Sequence, residues 1–378
     1  AVSCQIFFSD PNKARQETGL TQGRWAEGSL RVCYVADAAI TELFPCFYGG
    51  GGSCAFDRRK FLELGGFDHL LRPFYLEDTD LGYLAWKRGW KVLYQPRSVV
   101  YHEHRGTIGK RFSAGRIQAV LSKNFVLWTW KNIHQWRRLA PHLLLSFSGA
   151  AISLLFGDSI ERANLGGIWR ASLQLPRALG SRWRARDLSQ IDDSEAFLRP
   201  LGGYFRDRFG SLPAEPERLR VLFVSPYPIL PPVHGGGVFM YQTLRELAPR
   251  CDLHLIVLLH YAHELAANQP LGELCASVEF LVKKNDRPQT AASILPHAVR
   301  EFASEDLEWL IHREMYTRSI DVLQLEYTPL AQYACRFRRL VCALFEHDVY
   351  FQSVGRSFPH LLGAGSKLKA AVEYLRAL

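Results

Sequence analysis

The sequence has no apolar run long enough to cross a bilayer. Its most apolar stretch, Leu143–Phe156, has 14 residues, whereas a membrane-spanning helix needs about 20. The eight cysteines include no Cys-x-x-Cys pair, and a chain of this length does not depend on a disulfide scaffold. We therefore expect a cytoplasmic protein with reduced thiols, whose cores draw on the 48% of residues that are apolar.

Acidic residues are missing from one long stretch of the chain. Between His104 and Gly157 there is no Asp or Glu, and the formal net charge of the whole chain is +9. The same stretch holds eight basic residues: Arg105, Lys110, Arg111, Arg116, Lys123, Lys131, Arg137 and Arg138. This local concentration of one charge sign is more informative about partners than the total charge.

The first two parts of the chain differ in their hydrophobic pattern. Residues 1–110 mix glycine turns and short strands, among them 91–93 and 98–101, with a helix at Asp78–Lys87. Residues 111–217 are mostly helical and end in a linker that contains prolines. We expect the first part to be one domain and the second to be a basic helical connector.

The third part, residues 218–378, alternates strands with helices, notably Val238–Ala248 and Ala298–Met315. Such alternation predicts a Rossmann-like, doubly wound parallel sheet of the α/β class. The predicted strands are Val221–Ser225, Leu253–Leu259, Val278–Val282, Val322–Leu325 and Ala343–Phe345. A strand pattern begins at Val2 and a helix pattern runs to Leu378, so we expect a piece of a longer protein.

The first group of candidate functional residues combines a glycine run with acids and a histidine. Gly49–Gly52 would let the backbone approach a ligand closely. Glu77, Asp78 and Asp80 stand at a helix start, and His102 follows a predicted strand. Acids at a helix start are also favoured by the helix dipole alone, so simple capping is the alternative.

These segments resemble the inverting, GT-A-type glycosyltransferases of family 2, especially those that build bacterial surface polysaccharides. The resemblance covers residues 1–107 and implies part of a nucleotide-diphospho-sugar transferase fold. The matching segments are, in order, the glycine run before Phe56-Asp57-Arg58-Arg59, then Gly65-Gly66-Phe67-Asp68, Glu77-Asp78-Thr79-Asp80-Leu81 and Val99-Val100-Tyr101-His102.

The resemblance implies a role for each residue of the group. An inverting transfer needs a carboxylate that accepts the proton of the attacking hydroxyl, and this general base would be Asp78. Glu77 would orient the acceptor or the helix start, while Asp80 would contribute to binding or brace the fold through Arg88. Donor or acceptor binding is also implied for Gly50, Gly51, Gly52 and Arg58.

A divalent cation, Mg²⁺ or Mn²⁺, is the expected cofactor, because the leaving diphosphate carries charge that a cation can absorb. In the family, a histidine near the end of the domain can join this site, and His102 stands at the matching place. The alternative is a surface histidine beside His104. The family's metal-binding Asp-x-Asp has no counterpart, since Asp37 lacks a second acid at that spacing. We therefore expect the chain alone neither to bind nucleotide sugar well nor to turn over.

The basic stretch also contains many aromatic residues. Cations with tryptophans on an amphipathic helix are typical of a membrane-surface element, so we predict peripheral membrane contact through residues 105–156. An ordinary helical layer packed on the first domain is the alternative. Single-stranded nucleic acid binds similar compositions, but no nucleic-acid-binding motif accompanies the stretch, and no nucleic acid partner is expected.

A second group of candidate residues follows the first strand of the third part. His234 precedes the glycine turn Gly235, Gly236, Gly237 and a helix, an arrangement that favours phosphate binding. The turn is not G-x-G-x-x-G, which weakens a dinucleotide-binding interpretation.

Residues 218–350 resemble the amino-terminal domain of GT-B-type retaining glycosyltransferases of family 4. The resemblance implies that the turn lies near the donor phosphates, His347 beside the transferred sugar and Glu326 in the acceptor cleft.

The combined interpretation is a two-headed glycosyltransferase of cell-surface polysaccharide synthesis. It would transfer sugars from nucleotide sugars to a glycan or lipid-linked acceptor, at the inner face of the cytoplasmic membrane. Two alternatives stay open: a non-catalytic scaffold that binds glycan or membrane, and a Rossmann-type epimerase or oxidoreductase.

Overall fold

The structure, a computed structural model, describes residues 1–9, 19–103, 108–156, 159–202, 218–283, 296–336, 340–347 and 350–377. Arg105 and most of the predicted linker lie outside these residues. Contacts divide the chain into two compact units, residues 1–202 and 203–378.

The first unit begins with a small mixed sheet. Its strand order is β4-β6-β1-β5, with β1 parallel to β6 and the two short strands antiparallel to their neighbours, and β2 and β3 form a separate hairpin. The elements are β1 (Val2–Phe8), β2 (Thr21–Ala26), β3 (Ser29–Tyr34), β4 (Phe44–Pro45), β5 (Cys54–Ala55), α1 (Arg58–Glu63), α2 (Glu77–Lys87) and β6 (Leu93–His102).

Strand β6 is continuous where the sequence pattern predicted two short strands. Its pairing with β1 jumps from Cys4↔Gln95 to Gln5↔Val99, so the segment around Pro96 bulges out of the ladder. Proline has no N–H to donate to a neighbouring strand, and a bulge accommodates it without ending the strand. The prediction of two strands was therefore wrong, because a proline marks a bulge here.

Helices follow the sheet in the first unit, as the pattern of residues 111–200 predicts. Gly167 lies against α4, where a Cβ would come within 2.6 Å of the Ser122 Cβ, so glycine allows this close helix contact. The helices are α3 (Ile108–Arg111), α4 (Ala114–Asn132), α5 (Trp136–Phe156), α6 (Ser159–Ser172), α7 (Leu175–Leu188) and α8 (Asp193–Leu198).

The second unit contains a five-stranded parallel sheet, which confirms the predicted α/β pattern. The strand order is β11-β10-β7-β8-β9. The elements are β7 (Arg220–Ser225), α9 (Gly235–Leu247), β8 (Asp252–Leu259), α10 (Glu264–Asn268), β9 (Ser277–Val282), α11 (His297–Glu301), α12 (Glu305–Thr317), β10 (Val322–Glu326), β11 (Val341–Phe345), α13 (Tyr350–Ser357) and α14 (Ala364–Ala377).

Alternate residues of β7 enter two separate cores. Leu222 and Val224 pack with α12, whereas Val221 and Phe223 pack with α9. Helices therefore cover both faces of the sheet, and the strand order reverses between β7 and β10. In open α/β sheets such a switch point opens a crevice at the carboxyl ends of the strands.

The helix predicted at 298–315 is divided in two. The Ser304 side chain accepts a hydrogen bond from the Leu307 amide and so caps the start of α12. The buried Phe302 lies in the break, where it packs into one core. The apolar period continues through the break, which is why the pattern suggested one helix.

Candidate active site

The start of α2 is shaped by an unusual backbone. Tyr75 and Leu76, which precede it, both have a φ of 71°, a left-handed conformation that bulky residues rarely adopt. The Asp78 carboxylate accepts hydrogen bonds from the Thr79 amide at 2.7 Å and from the Gly51 amide at 3.1 Å. Asp78 therefore links the start of α2 to the glycine run, which a residue that only capped the helix would not do.

This strained loop is held by a side chain of α4. The Nδ2 of the fully buried Asn124 lies 2.7, 2.9 and 2.8 Å from the carbonyl oxygens of Leu71, Phe74 and Tyr75. The ammonium of Lys123 donates to a further carbonyl of the same loop, that of Arg72. Strain of this kind persists only where surrounding contacts determine it, and α4 supplies those contacts.

A cleft of about 860 Å³ opens beside this loop. Gly50, Gly51, Gly52, Asp78 and His102 all line it, so the structure brings these predicted site residues together. The cleft wall also includes Tyr34 and Tyr48, whose hydroxyl oxygens are 3.3 Å apart. Sequence reasoning missed these tyrosines, because they lie on separate elements before the glycine run.

Burial changes the acidity of both carboxyls at the helix start. Partial burial raises the pKa of Asp78, against the effect of the hydrogen bonds from Gly51 and Thr79. Burial also raises the pKa of Glu77, and the negative charge of Asp78 adds to this. The Oε2 of Glu77 is buried without a hydrogen-bond partner among the described residues. A carboxylate whose pKa is raised accepts a proton more readily, which suits a general base.

Asp80 lies away from the cleft and is buried. Its carboxylate accepts hydrogen bonds from Lys131 at 2.6 Å and from Asn132 at 2.7 Å, both on α4. The predicted brace through Arg88 was wrong, because Arg88 pairs with Glu63 at 2.9 Å instead. Asp80 thus braces the fold through a different helix, and its position gives no contact with a ligand in the cleft.

Two predicted ligand-binding residues differ in their placement. Arg58 is the exposed first residue of α1 and is not among the residues that line the cleft. His102 ends β6 and lines the cleft together with Asp78. Within the described residues no group of three or more His, Cys, Asp and Glu side chains is arranged to hold a metal ion.

In the second unit, the glycine turn begins α9. The His234 Nδ1 accepts a hydrogen bond from the Gly237 amide at 3.0 Å and caps the helix. A Cβ on Gly236 would lie 1.8 Å from the Tyr327 hydroxyl oxygen. Glycine at this position therefore makes room for Tyr327, whereas Gly235 has open space around it.

Glu326 and His347 form a buried pair at the carboxyl ends of β10 and β11. His347 Nε2 lies 2.7 Å from Glu326 Oε2, and the two side chains are 8% and 0% exposed. Tyr327, at a left-handed φ of 67°, stacks on the His347 ring at 4.0 Å between centroids. The structure therefore brings together His347, Glu326 and, through Tyr327, the glycine turn.

The predicted membrane stretch is partly internal. Trp128 is fully buried, and Lys123 and Lys131 are 6% and 4% exposed. These three side chains of α4 pack inside the unit, as the alternative of an ordinary helical layer predicts, and membrane contact through the rest of 105–156 stays a prediction. Among the described residues, no helix is both long enough and apolar enough to span a membrane.

Comparison with known proteins leaves the family open, because no protein-family model matches the chain and no curated protein matches its sequence.

Proposed function

We propose that the first unit carries the acceptor-side part of an inverting glycosyltransferase site, with Asp78 as the general base. The observation that carries this proposal is the position of Asp78, which lines the 860 Å³ cleft and is bound to the Gly51 amide. The raised pKa of Asp78 supports the same role.

The reaction assigns a place to each atom. The acceptor oxygen forms a bond to the anomeric carbon of the donor, and the bond from that carbon to the diphosphate oxygen breaks. The diphosphate leaves with the electron pair, and Asp78 takes the acceptor's proton. Attack opposite the leaving group inverts the anomeric configuration.

Side chains around the base would hold the substrates. The cleft tyrosines, Tyr34 and Tyr48, offer hydroxyls and apolar ring surface to a sugar. Glu77 is not among the residues that line the cleft and its Oε2 is buried, so of its two expected roles we propose orientation of the helix start. The backbone of the glycine run would approach the acceptor or the donor closely.

The residues present are compatible with a divalent cation bound chiefly by the substrate. Mg²⁺ commonly binds through one or two protein ligands plus phosphate oxygens and water, and His102, which lines the cleft, would supply the protein side. A bound cation would neutralise charge on the leaving diphosphate.

The experiment is a transfer assay with a panel of nucleotide sugars and lipid-linked acceptors, run on the full-length protein. Proton NMR of the product gives its anomeric configuration. The proposal predicts a product whose configuration is inverted relative to the donor. A retained configuration that depends on this cleft would contradict it, as would the absence of transfer with every donor and acceptor.

A second candidate site rests on the Glu326–His347 pair, which lies at the carboxyl ends of β10 and β11, next to the switch point between β7 and β10. We propose that it forms one side of a retaining, GT-B-type site that binds a sugar between the glycine turn and His347. His347→Ala should abolish a transfer different from the one that needs Asp78. If His347→Ala and Asp78→Asn abolished the same transfer, that result would contradict two separate transferase sites.

A further inference from the structure

Helices α6 and α7 expose an unusual number of large apolar side chains. Trp169 and Trp183 are 67% and 70% exposed. Leu173, Leu175 and Leu179 are 65%, 43% and 44% exposed. Isolated exposed leucines are common on proteins, but a group that includes two tryptophans marks an interaction surface.

The exposed residues of α7 form a ridge that is separate from its packed side. Leu175, Leu179 and Trp183 follow each other at a spacing of four residues, which places them along one side of a helix. The buried residues of this helix are small ones, Ala178, Ser181 and Ala185. The helix is therefore already anchored, and the ridge is not needed to complete the core of the first unit.

Cations surround this ridge. The described residues Arg170, Arg177, Arg184 and Arg186 are all exposed on α6 and α7, whereas Asp187 is the only acid of α7. Arg184 approaches Asp68 only at 4.0 Å and keeps 72% of its side chain exposed. The surface thus joins tryptophans and leucines to an excess of positive charge.

We propose that this surface, defined by Trp169, Leu173, Leu175, Leu179 and Trp183, binds peripherally to an anionic lipid bilayer. Indoles and leucines insert at the boundary of headgroups and acyl chains, and the arginines meet lipid phosphates. Guanidinium groups pair well with phosphate oxygens, which gives the charge complementarity that the proposal needs.

Charge favours a bilayer over the other occupants of such a surface. A second copy docked around a two-fold axis would bring the same arginines face to face, and like charges across an interface are unfavourable. Single-stranded nucleic acid would use the cations and indoles but would leave the leucine ridge without a partner. The inference does not depend on the proposed transfer activity.

The test is co-sedimentation of the 378-residue chain with phosphatidylcholine vesicles, with and without phosphatidylglycerol, at low and high salt. Trp183→Ser is compared with Trp136→Ser, since both tryptophans are 70% exposed in the wild type. Trp136 lies on α5 within the stretch 105–156, so the comparison separates the surface on α6 and α7 from the membrane contact predicted for that stretch. Leu179→Ser provides a second change on the ridge, and thermal melts monitor the fold.

The proposal predicts salt-sensitive binding only to vesicles that contain phosphatidylglycerol. Trp183→Ser should weaken partitioning by about ten-fold, as expected for the loss of one buried indole, and Leu179→Ser should weaken it less. Absence of vesicle binding at low salt would overturn the proposal, and so would an equal loss in Trp136→Ser. A concentration-dependent dimer that Trp183→Ser abolishes, without vesicle binding, would replace the bilayer with a second copy.

Discussion

The Gly51 amide lies 3.1 Å from the Asp78 carboxylate, so the glycine run and the start of α2 meet at one acid. Asp78 lines a cleft whose shape depends on a left-handed loop before the helix. That loop is in turn held by α4, a helix outside the segment that resembles a transferase. The candidate site and the helical layer therefore form one structure.

Asn124 is expected to stabilise this arrangement strongly. Asn124→Ala removes the donor to three loop carbonyls and should lower the free energy of unfolding by about 3 kcal/mol, because buried carbonyls lose their partners. Urea unfolding measures the change. Gln118→Ala, on the same helix α4, is the control. It removes one hydrogen bond, from Gln118 to Asn164 of α6, and should cost about 1 kcal/mol or less. Equal small losses in the two variants would show that Asn124 does not hold the loop.

Lys131 is expected to be the central ion of the buried cluster around Asp80. Its ammonium lies 2.6 Å from Asp80 and 2.9 Å from Asp68. Lys131→Met would leave two carboxylates without their cation and should destabilise the chain by about 3–5 kcal/mol. The control is Lys110→Met, which breaks an exposed pair with Glu103 and should change stability by less than about 1 kcal/mol. A thermal melt that shifts equally in both would contradict the buried role.

The contact between α2 and the cleft wall depends on Gly82. A Cβ there would lie 2.5 Å from the Tyr48 Cβ and 2.8 Å from the Phe47 carbonyl oxygen. Gly82→Ala should therefore destabilise the unit by about 3 kcal/mol through overpacking. Gly180→Ala, on α7 with no atom within 4 Å of the new Cβ, should instead stabilise by about 0.5–1 kcal/mol. Chemical denaturation of both variants tests the contrast, and a neutral Gly82→Ala would refute the close contact.

The sequence pattern predicted most regular elements and less of the site. Alternating apolar runs located all five strands of the second sheet, because a buried strand carries its signal locally. The contacts of Asn124 and Lys131 carry no local signal, since their partners lie far away in the chain. Lys123 and Lys131 looked like surface cations for the same reason. That Asp78 and His102 share a site was implied only by the family resemblance, which rests on the order and spacing of the motifs along the chain.

His134 should make the stability of the chain depend on pH. Burial, together with the positive charges of Lys87 and Arg182, lowers its pKa to about 4. The unfolded chain binds a proton at about pH 6.5 while the folded chain does not, so stability is lost as pH falls from about 6.5 to about 4. Urea midpoints at about pH 7 and about pH 5 should differ, and His134→Gln should reduce the difference. The exposed His360→Gln is the control, and an unchanged difference in His134→Gln would contradict the assignment.

The transferase site proposed for the second unit depends on the contact between Glu326 and His347. Glu326→Gln keeps the shape of the side chain but removes the charge 2.7 Å from the imidazole. We expect the transfer assigned to the second unit to fall by about 100-fold while the Asp78-dependent transfer continues. Unchanged activity would remove the pair from the mechanism.

The most direct test of the central claim is the transfer rate of Asp78→Asn beside that of Asp57→Asn, measured with the same donor and acceptor. Asp57 caps α1 by accepting from the Lys60 amide, and asparagine caps equally well, so this control should keep nearly the wild-type rate. Asp78→Asn removes the proton acceptor and should lower kcat by about 1,000-fold without unfolding the chain. A variant with Asn at position 78 that transfers sugar at the wild-type rate would contradict the account.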